Sequence, residues 1–179
     1  MKFQKLFLFL LLISVNSCFL SCHHEQQQQV TSADSLKEHL INANKIMVKD
    51  ESKEIEDFII RHNWKMTTTG TGLRYEIYQH GNGRKAEPDK YVTISYSVYL
   101  LDGTLCYSYE PSKPLIIALG HNEQTHGLEE GVLKMQEGDK ARLIVPYHLG
   151  YGVLGDDNKI PGQSSLYYDI TLIKVNDSK

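Results

Sequence analysis

Eight histidines and three cysteines are the residues of this 179-residue chain best suited to metal binding or nucleophilic chemistry. Their spacing supports neither. His121 and His126 flank one short segment and His148 lies in another, with no H-E-x-x-H, C-x-x-C or clustered His–carboxylate pattern. The adjacent His23 and His24 have no third ligand near them in sequence. There is no G-x-S-x-G elbow. Cys106 has no His or Asn spacing that would mark it as a nucleophile, so it reads as a packed thiol. Glu129-Glu130 and Asp156-Asp157 are adjacent pairs, which point to different sides in any regular structure. They read as solvated charges or caps. Gly81-Asn82-Gly83 is a bare G-x-G with no helix after it and does not make a nucleotide loop. Hydrolysis, redox chemistry and phosphoryl transfer find no support, and no metal or cofactor is expected. What remains is aromatic. Tyr96, Tyr99, Tyr107, Tyr109, Tyr147, Tyr151, Tyr167 and Tyr168 lie near Gly-rich segments, each offering a flat apolar body and one hydroxyl. By pattern alone, a tyrosine-rich sheet core accounts for them.

The whole chain is 41% hydrophobic and 23% charged, which suits one domain with some extra sequence. With 19 basic and 22 acidic residues the net charge is −3, so there is no basic surplus for a nucleic-acid partner. Three cysteines, two of them in the first 22 residues, do not make a disulfide framework. Met1–Lys5 carries two lysines, and Leu6–Cys22 carries no charge. A membrane span needs about 20 apolar residues. This run has 17 and includes Ser14, Asn16, Ser17 and Ser21, so residues 1–21 read as a cleaved secretory signal. Its end resembles a bacterial lipobox in two frames, Val15-Asn16-Ser17-Cys18 and Phe19-Leu20-Ser21-Cys22. Polar sequence follows the second at once, so Cys22 is the expected lipid attachment point and Cys18 the alternative. Loss of Lys2 and Lys5 leaves 17 basic residues against 22 acidic, a mature charge of −5. Such a protein meets a membrane through its anchor alone.

These residues need elements to position them. Residues 22–34 read as a polar tether and 35–66 as a helical lead. Ser35 to Glu38 fits a capping box, and Leu36, Leu40, Ala43 and Met47 recur at helical spacing. The charged stretch Lys49–Lys53 then predicts a break before a second helix carrying Ile55, Phe58 and Ile59. The two helices are expected to dock on the following domain rather than on a second subunit, and the oligomeric state stays open. Thr67–Gly72 is a turn-rich boundary, after which the period becomes two. Val92, Ile94, Tyr96, Val98 and Leu100 form the clearest strand face, and Asp102-Gly103 marks a turn. Ala141, Leu143 and Val145 alternate, as do Leu166, Tyr168, Ile170 and Leu172. Gly127–Leu133 reads as a brief helix, and Gly150–Gly162 as a loop. The sum is an α+β body of about five short strands and one short helix.

The run Gly127-Leu128-Glu129-Glu130-Gly131-Val132-Leu133, with Met135 and Gly138-Asp139-Lys140-Ala141, is specific. It is preceded by Tyr96-x5-Asp102-Gly103 and followed by Val145-Pro146, Gly150-Tyr151-Gly152, Ile160-Pro161 and Leu166-x-Tyr168. In this order and spacing the chain resembles the FKBP-type peptidyl-prolyl isomerases over residues 71–177. The lead, with its E-x-x-x-x-I-x-R-H-x-W stretch from Glu54 to Trp64, is similar to the gliding-motility-associated lipoprotein branch. The resemblance implies a five-stranded antiparallel sheet curled over one short helix, here preceded by two N-terminal helices, with an apolar pocket between sheet and helix. It implies rotation about X–Pro bonds of proline-containing polypeptides, at a site without a nucleophile. It further implies that Tyr96 lines the pocket, Leu128 forms its floor, Tyr151 donates its hydroxyl and the Thr125 N–H holds a substrate carbonyl. Leu115 and Ile117 would form a wall, with Ile160 and Tyr168 closing the far side. Where the family has Phe-Asp, this chain has Cys106-Tyr107, which the resemblance places among the substrate-binding residues. It also has Leu128 for a Trp, Gln124-Thr125 for Val-Ile and Tyr168 for a Phe. These departures imply a wider, more polar pocket, weak or altered activity and a poor grip on macrolide inhibitors. The expected function is a lipid-anchored, periplasm-facing isomerase assisting the folding of envelope proteins. A non-catalytic chaperone or assembly module of the same fold is the alternative.

Overall fold

The computed structural model describes residues 25–178, so the signal segment, Cys18 and Cys22 lie outside the described residues. Helix α1 runs unbroken from Glu25 to His62. Neither the tether expected up to residue 34 nor the break at Lys49–Lys53 interrupts it. From Glu25 to His62 there is no Gly or Pro, and the Gln, Glu and Lys residues of both stretches are good helix formers. Charge alone does not end a helix. Asn63 does, with a left-handed φ of 54°, while the Asn63 and Trp64 N–H groups donate back to the Ile60 and Ile59 carbonyls.

The described residues divide into two compact units, the first ending at Lys49 and the second beginning at Asp50. In the first, Leu36, Leu40, Ile41, Ile46, Met47 and Val48 are exposed along α1. The second holds the last turns of α1 and the whole sheet. There Ile55, Phe58 and Ile59 are buried with Leu101 and Ile144, and Trp64, Met66 and Tyr167 pack at the edge. The expected docking therefore holds for this end of the helix.

The strands are β1 (Thr67–Thr68), β2 (Arg74–Gln79), β3 (Tyr91–Leu100), β4 (Leu105–Tyr109), β5 (Leu115–Ala118), β6 (Lys140–Val145) and β7 (Leu166–Asn176). Among the described residues they form one antiparallel sheet in the order β1-β2-β6-β7-β3-β4, with β5 also on β3. The sheet has seven strands where five were expected. A strand as brief as the two-residue β1 has no period to read. Strand β3 gives one edge to β7 along its whole length and divides the other. Tyr91–Ile94 pairs with β5 and Tyr96–Tyr99 with β4. Tyr96 thus stands where the edge changes partner.

Side chains alternate across the sheet, so each face has its own core. Ala141, Leu143, Val145 and Tyr168 face the main core, and Ile144 and Tyr167 face the other. On the second face the Arg142 guanidinium lies 4.8 Å from the Trp64 ring and 4.3 Å from the Tyr78 ring, and it donates to Glu76 at 3.1 Å. Helix α2 (His126–Val132) covers the main core. It presses on β6 through two glycines. A Cβ at Gly127 would stand 2.3 Å from Val145 Cγ1, and one at Gly131 2.4 Å from Leu143 Cδ1.

Candidate active site

The inward face of β3 carries Tyr96, buried to 8% exposure. Its ring lies 5.1 Å from the Tyr109 ring of β4 and 5.5 Å from the Tyr168 ring of β7. Cys106 enters from β4 and is fully buried, its thiol 3.9 Å from the Lys159 carbonyl. Ile117 comes from β5, Leu128 from the first turn of α2 and Ile160 from the loop before β7, all buried in the same core. Tyr107, Leu115 and Tyr151 pack half-buried at the rim of that core. The structure brings these expected residues together around one aromatic and aliphatic centre.

Thr125 is the N-cap of α2, with φ −63° and ψ 144°, and its side chain caps nothing. Its carbonyl accepts the Glu129 N–H at 3.1 Å and so begins the helix. Its N–H belongs to the first turn, whose donors have no intrahelical partner. Buried Glu129 holds the preceding loop, accepting from Gly120 N–H at 3.1 Å and Gln124 N–H at 3.5 Å. The Thr125 hydroxyl is buried and has no hydrogen-bond partner among the described residues, which makes this corner of the site polar rather than aliphatic.

The loop carrying Tyr151 and Ile160 is braced against itself. A 3₁₀ turn, Tyr147–Leu149, leads into it. The Gly152 N–H donates to the Tyr147 carbonyl at 2.8 Å, Gly155 N–H to Tyr151 at 3.2 Å and Asp156 N–H to Ile160 at 3.0 Å. Gly155 has φ +82°, and a Cβ there would lie 2.2 Å from the Ile160 carbonyl oxygen. The turn is also tied to α1. Glu51 Oε1 accepts from the Tyr147 N–H at 2.7 Å and from the Ser165 hydroxyl at 2.6 Å.

Burial pushes the hydroxyls of Tyr96, Tyr168 and Tyr151 above the ordinary tyrosine range, aided by neighbouring tyrosines at Tyr96 and Tyr168 and first by the Asp156 carboxylate at Tyr151. All three are neutral donors at physiological pH. Desolvation also raises the Cys106 thiol, so it carries no nucleophilic thiolate. Among the described residues no group of three His, Cys, Asp or Glu is placed to hold a metal ion. The centre can bury an apolar group and donate hydrogen bonds around it. It does not combine a nucleophile with a base.

Two participants were missed in the sequence. Tyr109, exposed at the end of β4, sets its ring at 43° to that of Tyr96. Asp156 was read as a solvated charge or cap. It does cap its own loop, accepting from the Asn158 N–H at 3.0 Å and the Ile160 N–H at 2.7 Å. It also takes the Tyr107 hydroxyl, which was expected to face the substrate. The Gly-Asp-Asp-Asn order announces an Asx turn. Nothing in it announces Tyr107. A separate cleft of about 660 Å³, lined by Phe58, Trp64, Tyr99 and Tyr167 among others, opens on the sheet's other face. None of the expected site residues lines it.

Residues 82–173, half of the chain, match the family described as FKBP-type peptidyl-prolyl cis-trans isomerase. The chain belongs to the FKBP-type peptidyl-prolyl isomerases. An FK506-binding protein of Neisseria meningitidis serogroup B is 36% identical over 105 residues, which are 58% of this chain and 96% of that one. A second protein of that organism, described as a probable FKBP-type isomerase, FkpA, is 30% identical over 157 residues, 84% of this chain and 57% of the relative. Among solved structures, FkpA from Escherichia coli is similar with a TM-score of 0.64 at 26% identity, over 98% of this chain and 83% of that one. AtFKBP13 is similar with a TM-score of 0.58 at 27% identity, over 62% and 98%. FKBP-type isomerases are enzymes acting on proline-containing polypeptides. A site of neutral donors around an apolar centre is what that reaction asks for.

Proposed function

We propose that this FKBP-type isomerase turns X–Pro bonds of envelope proteins as they fold, from a lipid anchor on Cys22 that faces it to the periplasm. The buried centre formed by Tyr96, Leu128, Ile160 and Tyr168, with Tyr151 at its rim, carries the reading. Resonance gives the peptide bond a rotation barrier of about 18–20 kcal/mol. Twisting it removes the resonance and makes the group less polar, so a dry aromatic chamber favours the twisted form over the planar one. Leu128 seats the proline ring. The Tyr151 hydroxyl and the Thr125 N–H hold the carbonyl oxygens on either side, and Leu115 and Ile117 complete the wall. Uncatalysed exchange takes ~10–100 s at 25 °C. A thousandfold acceleration requires about 4 kcal/mol of selective stabilisation.

Cys106 withdraws an aromatic wall and Tyr107 spends its hydroxyl on Asp156, so the activity is modest. The signal-like segment and its lipobox support the anchored location, and the Glu54–Trp64 stretch supports kinship with the gliding-motility lipoproteins. A protease-free prolyl-peptide isomerisation assay on residues 23–179 tests the activity. Exchange above buffer is expected, and exchange equal to buffer moves the protein to the chaperone reading. Mass spectrometry of the mature N-terminus tests the anchor. A lipidated Cys22 is expected, and an unmodified N-terminus at another residue sinks it.

A further inference from the structure

The loop from Gly150 to Gly162 carries Tyr151 and Ile160, and its own backbone bonds run from one of its arms to the other. Besides the weak contact of the Cys106 thiol with the Lys159 carbonyl at 3.9 Å, what ties it to the strand facing it across the site is a side-chain hydrogen bond. The Tyr107 hydroxyl, from β4, donates to the Asp156 carboxylate. Asp156 in turn collects the Asn158 and Ile160 N–H groups. Asn158 Nδ2 donates to the Tyr107 oxygen at 3.3 Å, and the Lys159 ammonium lies 5.1 Å from the Tyr107 ring. The residue before Tyr107 is the buried wall residue Cys106, and the residue that Asp156 grips is Ile160.

We propose that Tyr107 is a positioning residue that latches the Tyr151–Ile160 loop to strand β4 through Asp156. The Tyr107 hydroxyl is committed to the loop and does not contact the substrate. The latch holds Ile160 against the pocket and fixes how far the Tyr151 hydroxyl stands from the opposite wall. A phenylalanine at 107 would keep the ring and lose the link. An aspartate at 107 would set a second carboxylate against Asp156 and drive the loop away.

This inference rests on the pocket assignment made above, so its test needs one readout that does not depend on activity. Amide hydrogen exchange of the Ile160 N–H in the intact chain is that readout. Tyr107→Phe should raise its exchange about tenfold, the scale of a lost hydrogen bond to a charged group. The matching kinetic experiment uses Tyr107→Phe, Asp156→Asn and the double variant. Each single change should lower kcat/KM about tenfold, and the double variant should be no worse than either, because both cut one link. Tyr107→Asp should fall lower still, and adding Asp156→Asn should restore it to the level of Tyr107→Phe. Unchanged Ile160 exchange in Tyr107→Phe overturns the latch. So do losses that multiply in the double variant, which would mean that Tyr107 and Asp156 act separately. A wild-type chain without isomerase activity whose Ile160 exchange still rises in Tyr107→Phe keeps the latch and removes the isomerase reading instead.

Discussion

Leu128 is fully buried in the first turn of α2, in the same core as Tyr96 of β3 and Tyr168 of β7. Leu128→Ala should cost about 2–5 kcal/mol of stability through the cavity it leaves. It should also lower isomerisation at a temperature where the variant is still folded, as read by the prolyl-peptide assay. Tyr151→Phe removes only a hydroxyl at the rim, so it should lower the rate with little change in the thermal midpoint. If both variants match wild type in that assay, the pocket is elsewhere. Because burial raises the Tyr96, Tyr151 and Tyr168 hydroxyls, none ionises in the working range. The rate should therefore be flat from about pH 6 to about pH 9. A limb in that interval would show that a titrating group takes part. At this scale Tyr96, Leu128, Tyr151, Ile160 and Tyr168 sit in the motif runs, whereas Leu115, Ile117 and Thr125 were expected only from the family resemblance. The partner of the Tyr107 hydroxyl was not, because Asp156 lies 49 positions away and meets it only across the closed site.

Among the elements, α2 and α1 hold the site from different sides of the sheet. Helix α2 reaches β6 only because Gly127 and Gly131 carry no side chain. Gly131→Ala should push it off Leu143 and lower stability by about 1–3 kcal/mol, measurable as a lower urea midpoint. A midpoint equal to wild type would mean the helix can shift freely. On the other side, Glu51 fastens the last turns of α1 to the turn that leads to Tyr151. Glu51→Ala leaves the Tyr147 N–H without its acceptor, at about 1–3 kcal/mol. Faster amide exchange at Tyr147 is expected, and no change there would deny the link. Period two located the long strands β3, β6 and β7. The break expected at Lys49–Lys53 did not occur, because a charged stretch without Gly or Pro remains helical when its acid finds partners elsewhere in the fold.

At the scale of the whole molecule, both hydrophobic cores among the described residues lie within the second unit, from Asp50 onward. A chain lacking residues 23–49 should therefore melt at the wild-type temperature and keep its isomerase rate. A large drop in either would mean the first unit supports the second. Near the C-terminus, Asp177 accepts from Arg84 at 2.9 Å and Lys90 at 2.7 Å. Its carboxyl is drawn down to about 2 by those hydrogen bonds, Arg84 first, and by the charges behind them. A folded value below the unfolded one of about 3.9 adds stability above that pH, and the gain is lost as pH falls toward 2. Asp177→Asn should flatten the acid side of the stability curve, and an unchanged acid limb would show the pair contributes nothing. The sequence determined the reaction class through the order and spacing of motifs that resemble a known family, while its strand period by itself determined only a tyrosine-rich α+β body. Only the tertiary structure decided that α1 is continuous, that β3 shares its edge between β4 and β5, and that Tyr107 answers to Asp156. The last two depend on contacts between residues far apart in the chain, which exist only once the sheet has closed, whereas α1 is continuous because its run of helix formers holds no Gly or Pro.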